Sequence, residues 1–160
     1  MEQLEQEAVL SFDIMGIQEC QKNRYPMLFI DKVTEAVPGK YAKAVKSFTY
    51  NEWFFPVHFE DEPNVPGFIQ LEALTQAFLM TFLTLDGYKG EKTNSVSINN
   101  AKFKRKILPG DTLEIHAVLE SFRRGIAKGR VESFVEGEAA ASVELVIAVP
   151  SVLNGLRPRG

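Results

Sequence analysis

The residues best suited to chemistry in this 160-residue chain fall within fifteen positions, from His58 to Glu72. His58 stands among Phe54, Phe55, Val57 and Phe59 and is one of two histidines. An imidazole can take or give a proton near neutral pH. In apolar surroundings it serves equally well as a satisfied core residue. Glu72 is the only ionisable side chain in the apolar run from Phe68 to Leu85. A carboxyl there is costly unless it is paired, hydrogen-bonded or protonated. One reading is a structural acid held by Gln76, one turn on at i+4. The other is a carboxylic acid kept protonated by desolvation and able to donate near neutrality. Gly67 follows Pro66 and opens the same run. A helix start exposes unpaired amides, and glycine lets a ligand approach the backbone. Such a donor suits a thioester carbonyl that gains negative charge; otherwise Gly67 is a plain helix-start glycine. Gly67 and Glu72 lie about 7.5 Å apart along a helix axis. One chain would struggle to bring all three groups to one substrate atom, and a site shared between two subunits relaxes that constraint.

The elements that must position these groups follow from the pattern. Residues 13–22 place Ile14, Ile17 and Cys20 at helical spacing, with Asp13 as a cap. Met27 to Ala36 is rich in β-formers, Pro38-Gly39 is a turn, and Lys40 to Tyr50 alternates as a half-buried strand does. Residues 51–67 hold three prolines and form a long structured loop. The apolar run of eighteen residues, Phe68 to Leu85, reads as one helix of roughly 27 Å. It is apolar nearly all round, so other elements must cover it. Four strands follow: Ser95 to Lys106, Thr112 to Arg124, Ile126 to Val135 and Glu138 to Val149. Pro109-Gly110-Asp111, Arg124-Gly125 and Glu136-Gly137 separate them. One long helix followed by a meander of strands implies an α+β fold, a long central helix wrapped by a curled antiparallel sheet. Residues 1–149 form a single domain in this reading, and 150–160 a flexible tail.

Composition bounds the function. Eighteen Lys and Arg against twenty-one Asp and Glu give a net charge of −3, which disfavours a generic nucleic-acid binder. A single cysteine excludes an intrachain disulfide and suits a reducing compartment. The first residues, MEQLEQEAVL, lack the basic and apolar regions of a signal peptide, so a cytoplasmic protein is expected. Polar residues interrupt the apolar run, so no membrane span is expected. Twelve phenylalanines point to a core or tunnel of large flat side chains. His58, Glu60, Asp61 and Glu62 suggest a metal site only weakly, because no second histidine is near and neighbours in an extended loop alternate direction.

Several segments together carry a resemblance. NRYPMLFIDKV (23–33), PGK (38–40), NEWFFPVHFEDEPNVPGFIQLEALTQA (51–77) and AKFKRKILPGD (101–111) resemble the bacterial 3-hydroxyacyl-ACP dehydratases, FabZ-type members above all. The likeness covers about residues 13–149. It implies a hot-dog fold and dehydration of (3R)-hydroxyacyl-ACP to trans-2-enoyl-ACP in fatty acid or related acyl-chain synthesis. His58 corresponds to the catalytic base, and Glu72, from the neighbouring subunit, to the acid. The Gly67 amide corresponds to the carbonyl donor and Gln76 to the residue that steadies the acid. The resemblance implies no metal and no diffusible cofactor. The substrate would arrive on the phosphopantetheine arm of acyl carrier protein. The assembly would be a homodimer with shared active sites, or a hexamer built as a trimer of dimers. Carrier protein is acidic, and Lys102, Lys104, Arg105 and Lys106 offer it a docking cluster, although such runs are usually solvated strand faces.

The chain departs from the family pattern in three places. Asn23 replaces a histidine before RYP, Val57 replaces the glycine before His58, and Glu60-Asp61-Glu62 follows Phe59. Valine cannot take glycine's φ freely, which predicts a reshaped pocket or impaired turnover. Two other readings remain open. One is a hot-dog thioesterase using Glu72 on water or on the thioester. The other is a non-catalytic acyl-binding or partner protein.

Overall fold

The structure, a computed structural model, describes residues 7–156. Residues 1–6, part of the segment read for a signal peptide, lie outside it. The elements run β1 (Leu10–Phe12), α1 (Ile14–Cys20), β2 (Lys32–Val37), β3 (Tyr41–Ser47), α2 (Gly67–Leu79), β4 (Asn94–Phe103), β5 (Thr112–Arg123), β6 (Ile126–Val135), β7 (Glu138–Ala148) and α3 (Pro150–Leu156). Seven strands form one antiparallel sheet in the order β1-β2-β3-β5-β6-β7-β4. Helix α2 lies against β3, β5, β6 and β7.

Local chemistry explains the best-formed elements. Asp13 caps α1 by accepting from the Gly16 N–H at 2.9 Å. Two-residue turns join β5 to β6 and β6 to β7. In each, an ordinary residue and a glycine both take positive φ: Arg124 and Gly125 at +50° and +76°, Glu136 and Gly137 at +49° and +77°. That is the turn whose twist matches paired strands. Every second position of β6 is buried, and those between are exposed or half-buried. One buried position is Gly129, where an added Cβ would lie 2.5 Å from the Phe78 ring and 2.1 Å from the Val118 carbonyl oxygen. The missing side chain lets α2 sit close to the sheet. Six of the twelve phenylalanines, including Phe54, Phe55, Phe78 and Phe82, are fully buried in the core. Phe59, Phe68 and Phe103 are exposed.

Two expectations are corrected, and two short elements, β1 and α3, add to the reading. Helix α2 has thirteen residues rather than eighteen, about 20 Å. Beyond Leu79 the chain tightens into three-residue turns, with Met80 N–H donating to Ala77 and Thr81 N–H to Phe78. Gly39, from the β2–β3 turn, captures the Thr81 carbonyl at 2.7 Å. Met80, Phe82 and Leu83 stay buried, so the apolar run marks burial rather than helix. The β-rich stretch from Met27 becomes a strand only at Lys32, because Met27 and Phe29 hydrogen-bond to a side chain of α2 instead of a strand. Strand β1 carries no periodic signal in its three residues and was not expected. The segment from Pro150, read as tail, starts as helix α3, and its last four residues lie outside the described ones.

Candidate active site

His58 is placed by the irregular segment between β3 and α2. The segment is fastened first by Lys46, which is 6% exposed. Its Nζ lies 2.7 Å from Glu52 Oε1 and 3.6 Å from Asp31 Oδ1, and 5.5 Å from the Phe48 ring centroid. Phe54 and Phe55 then plunge into the core with ring centroids 4.9 Å apart. One turn of 3-10 helix, Phe55–Val57, ends at His58. Asn64 closes the loop from the other side: its N–H donates to the His58 carbonyl at 2.9 Å, and its carbonyl lies 3.0 Å from His58 Nδ1. A carbonyl only accepts, so Nδ1 carries a proton. In the neutral ring Nε2 then keeps the lone pair. The imidazole is half-buried and stacks on Phe59 at 4.4 Å. Farther along, Glu62 pairs with Lys106, and the ammonium holds its carboxyl below the usual carboxylate range.

Val57 takes no positive φ; among the described residues only Asn100, Arg124 and Glu136 do so without being glycine. The backbone conflict expected there does not arise, and the side chain is 70% exposed. Asn23 donates to Gln21 Oε1 at 2.9 Å, and Gln21 Nε2 reaches the Gln76 carbonyl at 3.3 Å.

Glu72 lies on α2, half-buried. Its Oε1 accepts from Gln76 Nε2 at 2.9 Å. The same nitrogen donates to the Met27 carbonyl at 2.6 Å, while Gln76 Oε1 accepts from Phe29 N–H at 2.7 Å. The fully buried Gln76 amide thus substitutes for a strand partner along Met27 to Phe29 and fixes the carboxyl at the same time. Glu72 borders a cleft of about 240 Å³ whose other walls include Met27, Phe29, Phe68, Leu71 and Ile98. A carboxyl in that apolar wall is suited to meeting a substrate beside a hydrocarbon chain.

Gly67 opens α2 with no side-chain cap, which leaves first-turn amides free as donors. An added Cβ there would lie 3.2 Å from the Phe103 ring, so ring packing alone already favours glycine. Gly67 borders a second cleft, of about 440 Å³, with Asn64, Gln70, Phe103 and Lys104 to Lys106. His58 borders neither cleft. The structure therefore places Gln76 against Glu72 but does not gather His58, Gly67 and Glu72 in one cavity of one chain. The basic cluster also divides. Lys102 borders a different cleft, beside Arg130 and Glu144. Arg105 lies 3.1 Å from Glu138 and Lys106 pairs with Glu62, whereas Lys104 has no ion pair among the described residues.

The sequence reading missed Lys46, Glu52 and Asn64. Lys46 had a signal: it falls in phase with the inward-facing Ala42 and Ala44 of β3, and an inward charge demands a partner. Among the described residues no group of three or more His, Cys, Asp or Glu is arranged to hold a metal ion, and no helix is long and apolar enough to cross a membrane.

Comparison with known proteins accords with this geometry. The family model described as a FabA-like domain matches residues 22–144. A 3-hydroxyacyl-acyl-carrier-protein dehydratase FabZ from Clostridium novyi (strain NT) is 40% identical over 140 residues, covering 88% of this chain and 99% of that one. The protein of the same name from Lactobacillus helveticus (strain DPC 4571) is 38% identical over 138 residues, covering 86% and 93%. Among solved structures, a chain of the dehydratase heterocomplex ApeI:P from Xenorhabdus doucetiae superimposes with a TM-score of 0.74 over 88% of this chain and 95% of that one. At 14% identity that likeness shows the shared fold alone, and the fold is the expected α+β hot-dog arrangement. With a sheet of this order, a helix bearing Glu72 and Gln76, and a matching family model over most of its length, the chain belongs to the FabA-like family.

Proposed function

We propose that this protein is a 3-hydroxyacyl-ACP dehydratase that converts (3R)-hydroxyacyl-ACP to trans-2-enoyl-ACP and water. The observation that carries the reading is the Glu72 carboxyl, fixed by Gln76 in the wall of an apolar cleft. His58 Nε2 takes the α-proton, and the electrons of that C–H bond form the new double bond. The Gly67 amide donates to the thioester oxygen while it gains charge. Glu72 gives its proton to the β-hydroxyl, which leaves as water. The substrate hydroxyl and α-carbon supply everything the elimination consumes, so the reading calls for no metal and no diffusible cofactor.

The His58 and Glu72 of one reaction belong to two copies of the chain. Strand β4 supports this. It hydrogen-bonds to β7 alone and is exposed at every position but Ser97, with Val96, Ile98 and Phe103 all in the open. An exposed ten-residue edge strand that carries Val96, Ile98 and Phe103 asks for a partner strand. Ile98 of that strand also borders the Glu72 cleft, so a copy docked on β4 covers the cleft's rim. A dimer follows, with a trimer of dimers as its higher form, in the cytoplasm. Acyl carrier protein docks at Lys104, which borders the Gly67 cleft and has no ion pair among the described residues, rather than on the whole cluster with Lys102, Arg105 and Lys106.

The test is hydration of trans-2-enoyl thioesters of several chain lengths by wild type, His58→Ala and Glu72→Gln, followed by loss of enoyl absorbance. A thiol reagent in parallel wells reports hydrolysis. Hydration by wild type and its loss in both variants is the expected result. Thiol release in its place would make the protein a thioesterase.

A further inference from the structure

Gln70 has no role in the chemistry above, yet its surroundings ask for one. It follows Gly67 by three residues, so the two share a face of α2. Glu72, two residues on, points about 200° round the helix, toward the other cleft. Gln70 is 4% exposed. Its Nε2 donates to the Val65 carbonyl at 3.4 Å, a long bond. Its Oε1 is buried and finds no hydrogen-bond partner among the described residues. A buried amide oxygen without a donor destabilises the fold unless something supplies one. Gln70 borders the cleft of about 440 Å³ that opens at the start of α2, together with Gly67 and Lys104. The helix start and the ammonium are donors. They suit a carbonyl or an anion. Gln70 adds what they lack, a fixed acceptor.

We propose that Gln70 determines specificity: its Oε1 accepts a hydrogen bond from an N–H or O–H group of the bound thioester substrate. The proposal rests on the reading of the protein as a thioester dehydratase. Two parts of such a substrate carry that chemistry, the amide-bearing thiol arm and a hydroxylated acyl chain. A site built around a buried acceptor disfavours an analogue that lacks the donor, because the acceptor then stays unpaired.

The experiment compares wild type with Gln70→Leu on three enoyl thioesters: the pantetheine ester, the propanethiol ester, and the propanethiol ester of a chain carrying a terminal hydroxyl. Thermal unfolding of both proteins runs alongside. Leucine removes the unpaired Oε1 together with only a long bond, 3.4 Å, to the Val65 carbonyl, so the two effects oppose and the variant is expected to unfold within about 4 °C of wild type. Its kcat/KM is expected to fall about tenfold on a donor-bearing substrate, the usual worth of one buried hydrogen bond. On the plain propanethiol ester it should change by less than about twofold. Loss confined to the pantetheine ester assigns the donor to the arm. Loss confined to the hydroxylated chain assigns it to the acyl group. Equal loss on all three, or loss on none, overturns the proposal and leaves the oxygen to water or to a second copy. Should wild type turn over none of them, the dehydratase reading fails. Calorimetric binding of the non-reacting thioethers of the same thiols and chains then decides: weaker binding of a donor-bearing thioether by the variant supports the proposal, and equal or absent binding overturns it.

Discussion

Helix α2 and the loop that precedes it hold their functional side chains by different means. Around Glu72 every anchor is a neutral amide: Gln76 bonds the carboxyl, the Met27 carbonyl and the Phe29 N–H, and Gln21 bonds the Gln76 carbonyl. Around His58 the outer fastenings are ionic. Lys46 grips Glu52 at the start of the loop, and Lys106 grips Glu62 near its end, with Asn64 bonding the histidine itself. A buried amide network answers little to salt, and neither does the largely buried Lys46–Glu52 pair, while the exposed Glu62–Lys106 pair answers to salt and acid. The acid half of the site is therefore set by packing, and the base half by a loop with one buried ionic tie and one that can be loosened from solution.

The largest test of this division is catalytic. His58→Ala and Glu72→Gln should each lower kcat/KM by about 10²–10⁴-fold, the range for a lost proton-transfer group. If the halves come from two copies, mixing the two dead variants restores one intact site in each mixed dimer. Equal mixing should recover roughly a quarter of wild-type activity, since half the dimers are mixed and each has one working site of two. No recovery after proven subunit exchange would place the site within one chain.

Gln76→Leu comes next. It leaves the Phe29 N–H and the Met27 carbonyl without their partner. Urea unfolding should show a loss of about 1–3 kcal/mol for each group stranded, together with reduced turnover as Glu72 loses its brace. Lys46→Ala should cost less, about 1–3 kcal/mol in all, because Glu52 keeps some contact with water. Its turnover should become erratic with temperature while Glu72→Gln behaves as a rigid knockout. Smallest is the Glu62–Lys106 pair. The lowered carboxyl of Glu62 means the folded state holds its proton less tightly than the unfolded one. The contribution is present above the ordinary glutamate range, about 4.3, and disappears as pH falls through the lower folded value. Glu62→Gln should remove that part of the acid slope of stability, and 1 M salt should mimic it at neutral pH.

Much of this arrangement was legible in the residues. The Arg124-Gly125 and Glu136-Gly137 pairs marked the two tight turns, and alternation along β5 to β7 gave strand limits good to a residue. His58 and Glu72 stood out because polar groups in an apolar stretch need a reason, Gly67 as the glycine that opens a helix, and Gln76 as the amide one turn beyond the acid. The end of α2 was hidden because Met80, Phe82 and Leu83 continue its apolar pattern while leaving the helix. The pairing of Met27 and Phe29 with a glutamine was hidden for another reason: side chains that act as strand partners leave no period in the sequence. Neither Asn64 nor the orphaned oxygen of Gln70 has a local signature. Both are defined by what lies opposite them in space.

Strand β4 also bears on how the chain comes into being. A freshly released copy presents the outer edge of a ten-residue strand, its other edge paired with β7, with Val96, Ile98 and Phe103 in the open. The edge at the other side of the sheet, β1, is three residues long and irregular in register, a poor template. The β4 ribbon will accept any extended peptide of suitable polarity, so self-recognition competes with aggregation from the moment of synthesis. Pairing of two copies is second order in the chain and aggregate growth is of higher order, so fast or concentrated expression and warm conditions should each shift the balance toward insoluble material.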